Sequence, residues 1–223
     1  MGSSGSGQDA LRAPRAAGLA GVIFALLLAA AIVLLRLGLP EGADTAVPGP
    51  ADSGRRTALR AALALVPFAG IFFLWFTGAV RAHVGAAEDK FLATVFLGSA
   101  LVFTATMFGA AAAAGAVLAV SHPVGPPPPA AAWEFGRHFA YTLMTGYAMR
   151  MAAVFVSSLS VMGHRLGVLP RPLTVAGALT APTLLFVSSN VPWAELVFPA
   201  WSLLISGYLL AVGRREGPRP DAA

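Results

Sequence analysis

Residues 136–162 read GRHFAYTLMTGYAMRMAAVFVSSLSVM, and this stretch decides the fold. It exceeds the roughly 20 apolar residues that carry an α-helix across a bilayer, and as a helix it would extend about 40 Å. Arg150 stands near its midpoint. A guanidinium at the bilayer centre costs about 3 kcal/mol on insertion scales, so Arg150 is expected to face protein or a water-filled cavity rather than lipid. Tyr147 precedes it by three positions and Ser157 follows by seven, which sets all three on one helical face. The stretch therefore predicts an all-α, polytopic membrane bundle with a polar spot in its interior.

The same signal recurs on either side. Apolar runs predict six spanning helices, at about residues 16–35, 58–80, 91–119, 136–162, 172–189 and 193–212. They form one transmembrane domain, 16–212. Residues 1–15, which open on a tag-like MGSSGSG, and the polar tail 213–223 are expected to be disordered. The first run follows Arg12 and Arg15 but has no clear small-x-small cleavage site before a soluble domain, so it reads as an uncleaved span. Pro67 and Pro182 predict kinks inside helices 2 and 5. Helix 3 contains GSALVFTATMFGAAAAAGA from residue 98, and small side chains let helix backbones approach closely in lipid. It is expected to be the most buried helix, touching helix 4 at Gly98 and Gly109. The segment SHPVGPPPPAAAW, from residue 121, reads as a stiff polyproline-like connector.

Composition agrees with a membrane class. The chain of 223 residues is 57% hydrophobic and 11% charged, against about 25% charged in globular chains. Its mean hydropathy is +0.74. The net charge of +5 comes from basic residues placed singly at helix ends, where lipid headgroups account for them. Nucleic acid is therefore not the expected partner; membrane lipids are. With no cysteine, thiolate chemistry, iron–sulfur clusters and disulfides are excluded. No phosphate-binding GK[ST] loop, GxSxG elbow or HExxH helix is present. The lone lysine, Lys90, stands at a helix start and does not suit a retinal Schiff base.

Six spans set both termini on one side. Arg12, Arg15, Arg81, Lys90, Arg165, Arg171, Arg214, Arg215 and Arg219 all fall there, while Arg55, Arg56 and Arg60 in the first loop, and Arg137 at the start of helix 4, oppose them. Positive loops stay in the cytoplasm, so a plasma-membrane (cell inner membrane) protein with both termini inside is expected. Helix 1 ends in RLGLP (36–40) and helix 4 in RLGVLP (165–170), which reads either as an inverted three-plus-three repeat or as chance.

Two constellations could carry chemistry. The first is Arg150 with Tyr147, Ser157 and the helix 3 hydroxyls Thr104 and Thr106, expected at the same depth. A guanidinium there could anchor an anionic ligand, or it could bond to hydroxyls and carbonyls and only fix packing. The second is Glu134, His138 and Tyr141 at the start of helix 4, with Glu195 at the start of helix 6. These could form the lip of an outward cavity with Glu or His as general base, or serve as caps and interfacial anchors. The four histidines pair loosely by face, as in a two-haem cytochrome, and His122, His138 and Glu134 could hold zinc. Interfacial histidines and no cofactor are the default. Trp133, Trp193 and Trp201 read as the outer aromatic belt.

The stretches Tyr147–Phe155, Leu169–Arg171 and Leu196–Trp201 resemble a group of uncharacterised multi-helix membrane proteins of actinobacteria. The resemblance covers helices 2 to 6 and implies the six-helix fold without a substrate. Three functions stay open on the sequence. One is binding or transport of a lipophilic or amphipathic anion at Arg150. Another is an embedded enzyme acting on a lipophilic substrate. The third is a structural or interaction subunit.

Overall fold

In the computed structural model, residues 5–40, 53–84, 90–120 and 129–215 are described. The first loop (41–52), most of the proline-rich connector (121–128) and the end of the tail, on which the sequence carries expectations, lie outside them. The described residues hold six helices and no strand: α1 (Gly5–Gly38), α2 (Ser53–Val84), α3 (Lys90–Val120), α4 (Ala130–Arg165), α5 (Arg171–Val187) and α6 (Val197–Arg215). A 3₁₀ turn, Ala194–Leu196, leads into α6. Five of the six are long and apolar enough to cross a membrane, so the chain is a multi-pass helical membrane bundle.

Several helix boundaries differ from the sequence reading. α1 starts at Gly5 rather than near residue 16. The helix runs back through Pro14, which cannot donate a hydrogen bond, into Ala13, Arg12, Leu11 and Ala10, which are good helix formers. α4 starts at Ala130, so the polar turn before Gly136 is helical as well. α5 agrees with the expected 172–189 to within two residues; it is about 26 Å long and closes in a π-helical segment after Pro182, Thr183–Val187. Proline supplies no N–H, so the ladder beside it re-pairs with a longer ring.

α1 and α6 run antiparallel in near-backbone contact. A Cβ on Gly18 would lie 2.6 Å from Leu210 Cγ, and one on Gly21 would overlap Ser206 Oγ. The start of α1 and the end of α6 therefore lie at one end of the bundle. At the other end Arg36 of α1 meets Glu195.

The core is an aromatic knot. Phe24 (α1), Phe73 (α2), Phe103 (α3), Phe155 (α4) and Phe198 (α6) meet, with Phe73 4.5 Å from Phe24, 5.0 Å from Phe103 and 4.9 Å from Phe155. Phe103 and Phe198 are 5.1 Å apart, and Phe96 stacks on Phe155 at 4.6 Å. Tilted and edge-on ring pairs at these separations add about 0.5–1.5 kcal/mol each beyond burial, and in lipid such packing replaces the missing hydrophobic drive. α5 sends no ring into the knot; its Phe186 is 70% exposed.

α3 is not the most buried helix. Over the spanning segments α4 is 56% and α1 50% buried, against 39% for α3. The small residues of α3 are spread around its circumference, so they mark no single contact face. A Cβ on Gly98 would meet nothing within 4 Å, and one on Gly109 would meet only Leu143 Cδ1, at 3.3 Å. Trp133 and Trp201 are buried rather than belted at the outer interface; only Trp193 of the three is exposed.

Candidate functional site

Polar groups gather in three places: a closed clasp, an open groove and one isolated arginine.

The clasp joins α1, α4 and the entry to α6. Arg36 Nε donates to Glu195 Oε1, and both side chains are buried. The guanidinium carbon sits 5.3 Å from the ring centroids of both Tyr141 and Trp193, within cation–π range of each. Tyr141 donates its hydroxyl proton to the Leu39 carbonyl at 2.7 Å, which fixes the frayed end of α1. Trp193 has φ +70°, an unusual conformation for a bulky side chain, and the ring stacked on Arg36 holds it there. The expected cluster of Glu134, His138, Tyr141 and Glu195 is thus only half assembled. Tyr141 and Glu195 meet around Arg36, while Glu134 and His138 are exposed on α4 and His138 approaches only Arg137, at 3.4 Å. Glu195 is engaged by Arg36 and is in no position to serve an outward cavity as a base. Arg36, the residue that organises this end, was legible only as a lone charge in the last turn of an apolar run.

The groove lies between α3, α4 and α5, in the half of the bundle nearer the chain ends. Its volume is about 690 Å³, within the range of small-molecule sites. Local sequence builds its walls. At the end of α4, Gly167 takes φ +67° as the residue after the C-cap; its N–H bonds His164 O at 3.2 Å, and the Val168 N–H bonds Gly163 O at 3.0 Å. Pro170 and Pro172 then start α5 back along α4. The two helices close on Gly177, where a Cβ would overlap Ser160 Oγ. Val154, Ala181, Leu185 and Phe186 make the lining largely apolar. Ser157 and Ser158 add hydroxyls, and His164 and Arg165 stand at the end nearer the chain termini. Both are exposed, and among the described residues neither side chain has a hydrogen-bond or ion-pair partner.

Arg150 does not point into the bundle. It is exposed on the outside of α4, and its Nη1 donates to the carbonyl of Gly146 in its own helix. That carbonyl belongs to a π-helical segment, Thr142–Ala148, in which the neighbouring Thr145 carbonyl accepts from Ser188 Oγ at 3.2 Å and Ser189 Oγ at 3.3 Å. Tyr147 is 58% exposed beside Arg150, and Ser157 is exposed in the groove wall. Thr104 and Thr106 are not brought to Arg150: each hydroxyl donates back to its own helix, to Ala100 O and Val102 O. The Thr104 methyl faces the notch at Gly70 on α2 instead. A helical count gives the depth of a residue but not its azimuth, and the π segment turns the face.

Among the described residues no three His, Asp or Glu side chains come together as a metal site. His122, one of the zinc candidates, lies outside them, as does the side chain of His83. No family model, curated protein or solved structure matches the chain.

Proposed function

We propose that this is a plasma-membrane protein that binds an anionic amphiphile of lipid type in the α3–α4–α5 groove, with both termini in the cytoplasm. The observation that carries the reading is the form of the groove, an open-sided apolar channel of about 690 Å³ with two basic side chains at one end that have no side-chain partner among the described residues. An acyl chain suits the channel, and a phosphate or carboxylate headgroup suits His164 and Arg165. Those two residues sit at the end of the bundle from which the termini leave, and the positive-inside rule assigns that end to the cytoplasmic leaflet. Arg150 lies one turn beyond Val154, past the far end of the groove on the same helix face. It is therefore a second basic station for the amphiphile rather than its buried anchor.

The test is a thermal-shift titration of the purified protein in a neutral detergent. A ligand at about 100 times its Kd adds about 2.7 kcal/mol of stability. Phosphatidylglycerol should raise the midpoint, phosphatidylcholine should do so far less, and Ala178→Trp, which fills the groove, should abolish the shift. Equal shifts with both lipids, or a full shift in Ala178→Trp, would remove the groove as the site.

A further inference from the structure

α4 carries exposed polar side chains over its whole length, on what its π segment makes one face. Arg150, Ser157 and His164 are spaced by seven, so they align in a regular helix, and all three are exposed. Continued regularly, that face would reach Leu143. The π segment Thr142–Ala148 places one extra residue in the turn and moves the register by one. The exposed residue is accordingly Thr142, with Leu143 half-buried, and exposed His138 lies one turn further. From His138 to His164 is about 39 Å at 1.5 Å per residue, more than the roughly 30 Å of hydrocarbon in a bilayer. The ladder therefore begins and ends at the two interfaces, and Arg150 stands near its centre.

The widest apolar interval is narrowed by Gly146. A Cβ there would meet Arg150 Nη1 at 3.5 Å and the Thr142 methyl at 3.8 Å. With no side chain between them, the guanidinium lies along the helix toward Thr142. Among the described residues its one partner is the Gly146 carbonyl, so it keeps donors for an anion. In a protein whose only task was to hold its fold, an arginine facing lipid at this depth would be a cost without return. A passing phosphate would be stabilised there without being trapped, as conduction requires of any intermediate site.

We propose that the exposed face of α4 is a track along which anionic phospholipid headgroups cross the membrane, with the acyl chains remaining in lipid. This rests on the reading of the groove as a lipid seat: the headgroup leaves His164 and Arg165, passes Ser157, and is met at mid-membrane by Arg150 before Thr142 and His138. Lipid movement down its own gradient needs no energy source and breaks no bond.

The test reconstitutes the full chain in vesicles of phosphatidylcholine with a trace of headgroup-labelled fluorescent phosphatidylglycerol, and bleaches the outer leaflet with dithionite. Protein-free vesicles lose about half of the signal, the share of label in the outer leaflet. Wild-type vesicles are expected to lose nearly all of it as inner-leaflet label emerges. Arg150→Leu should slow this phase at least about tenfold, the change that about 1.4 kcal/mol at the barrier top produces. Arg150→Lys should recover part of it, and labelled phosphatidylcholine should cross more slowly than phosphatidylglycerol. Intact-complex mass spectrometry of each variant reports whether lipid still binds. Wild-type protein that binds phosphatidylglycerol yet stops at half bleaching overturns the track and leaves the groove standing. So does an Arg150→Leu variant that bleaches as fast as wild type. Protein that binds no anionic lipid overturns both readings.

Discussion

Arg36 is 8% exposed, ion-paired with Glu195 and sandwiched between Tyr141 and Trp193, whereas Arg150 lies on the outside of α4 with a single carbonyl of its own helix. Both sit in apolar helices, and the chain resolves the cost of each charge differently. Arg36 is compensated wholly by protein, so its contribution is to geometry: it ties α1 to the entry of α6 at the end away from the termini. Arg150 is left to whatever comes to it from the membrane. The contrast teaches that an arginine within a span is not informative by its depth alone. What matters is whether the fold has already supplied its counter-charge.

The comparison breaks first at the clasp. Arg36→Met strands the Glu195 carboxylate, whose side chain is fully buried, and should cost about 3–5 kcal/mol of stability in detergent. Glu195→Met should cost as much, by stranding Arg36. The double variant should be more stable than either single one, since it removes both charges together. A denaturant series on the four proteins measures the cycle; additive losses would mean that the pair is not coupled. Next in size is Gly177→Leu, which drives a side chain into Ser160 and should cost about 1–3 kcal/mol while pushing α5 off α4. Its thermal midpoint should fall and its lipid-induced shift should shrink with it.

The smallest effects sharpen the contrast. Arg150→Met should leave stability within about 0.5 kcal/mol of wild type or raise it, because among the described residues only Gly146 loses a partner. A loss like that of Arg36→Met would show that Arg150 is structural after all. Gly98→Leu points a side chain into open space and should likewise change the midpoint by less than about 0.5 kcal/mol, where the sequence alone would have it overpack helix 4.

Sequence reached the bundle because spans are long, contiguous and paid for by lipid, so apolar length alone specifies them. It reached Tyr141 and Glu195 as members of one end for the same reason, since alternating spans sort residues by face. It did not reach Arg36 as their partner, because pairing across 159 positions depends on which helices touch, and that follows from Gly18 and Gly21 meeting α6. It set Arg150 facing inward because a guanidinium facing lipid is costly, and counting along a helix gives depth without azimuth. The groove was invisible for a related reason: it exists where α5 is short and sends no aromatic side chain into the core, which is a property of the assembled helices.

The most direct measurement is native mass spectrometry of the protein extracted from membranes in mild detergent. If the groove is a lipid seat, wild-type protein should carry one anionic phospholipid that survives delipidating washes, and His164→Leu combined with Arg165→Met should lose it while keeping the thermal midpoint of fully delipidated wild-type protein. A wild-type protein that emerges bare, or a double variant that retains the lipid at full occupancy, would contradict the groove as the functional site.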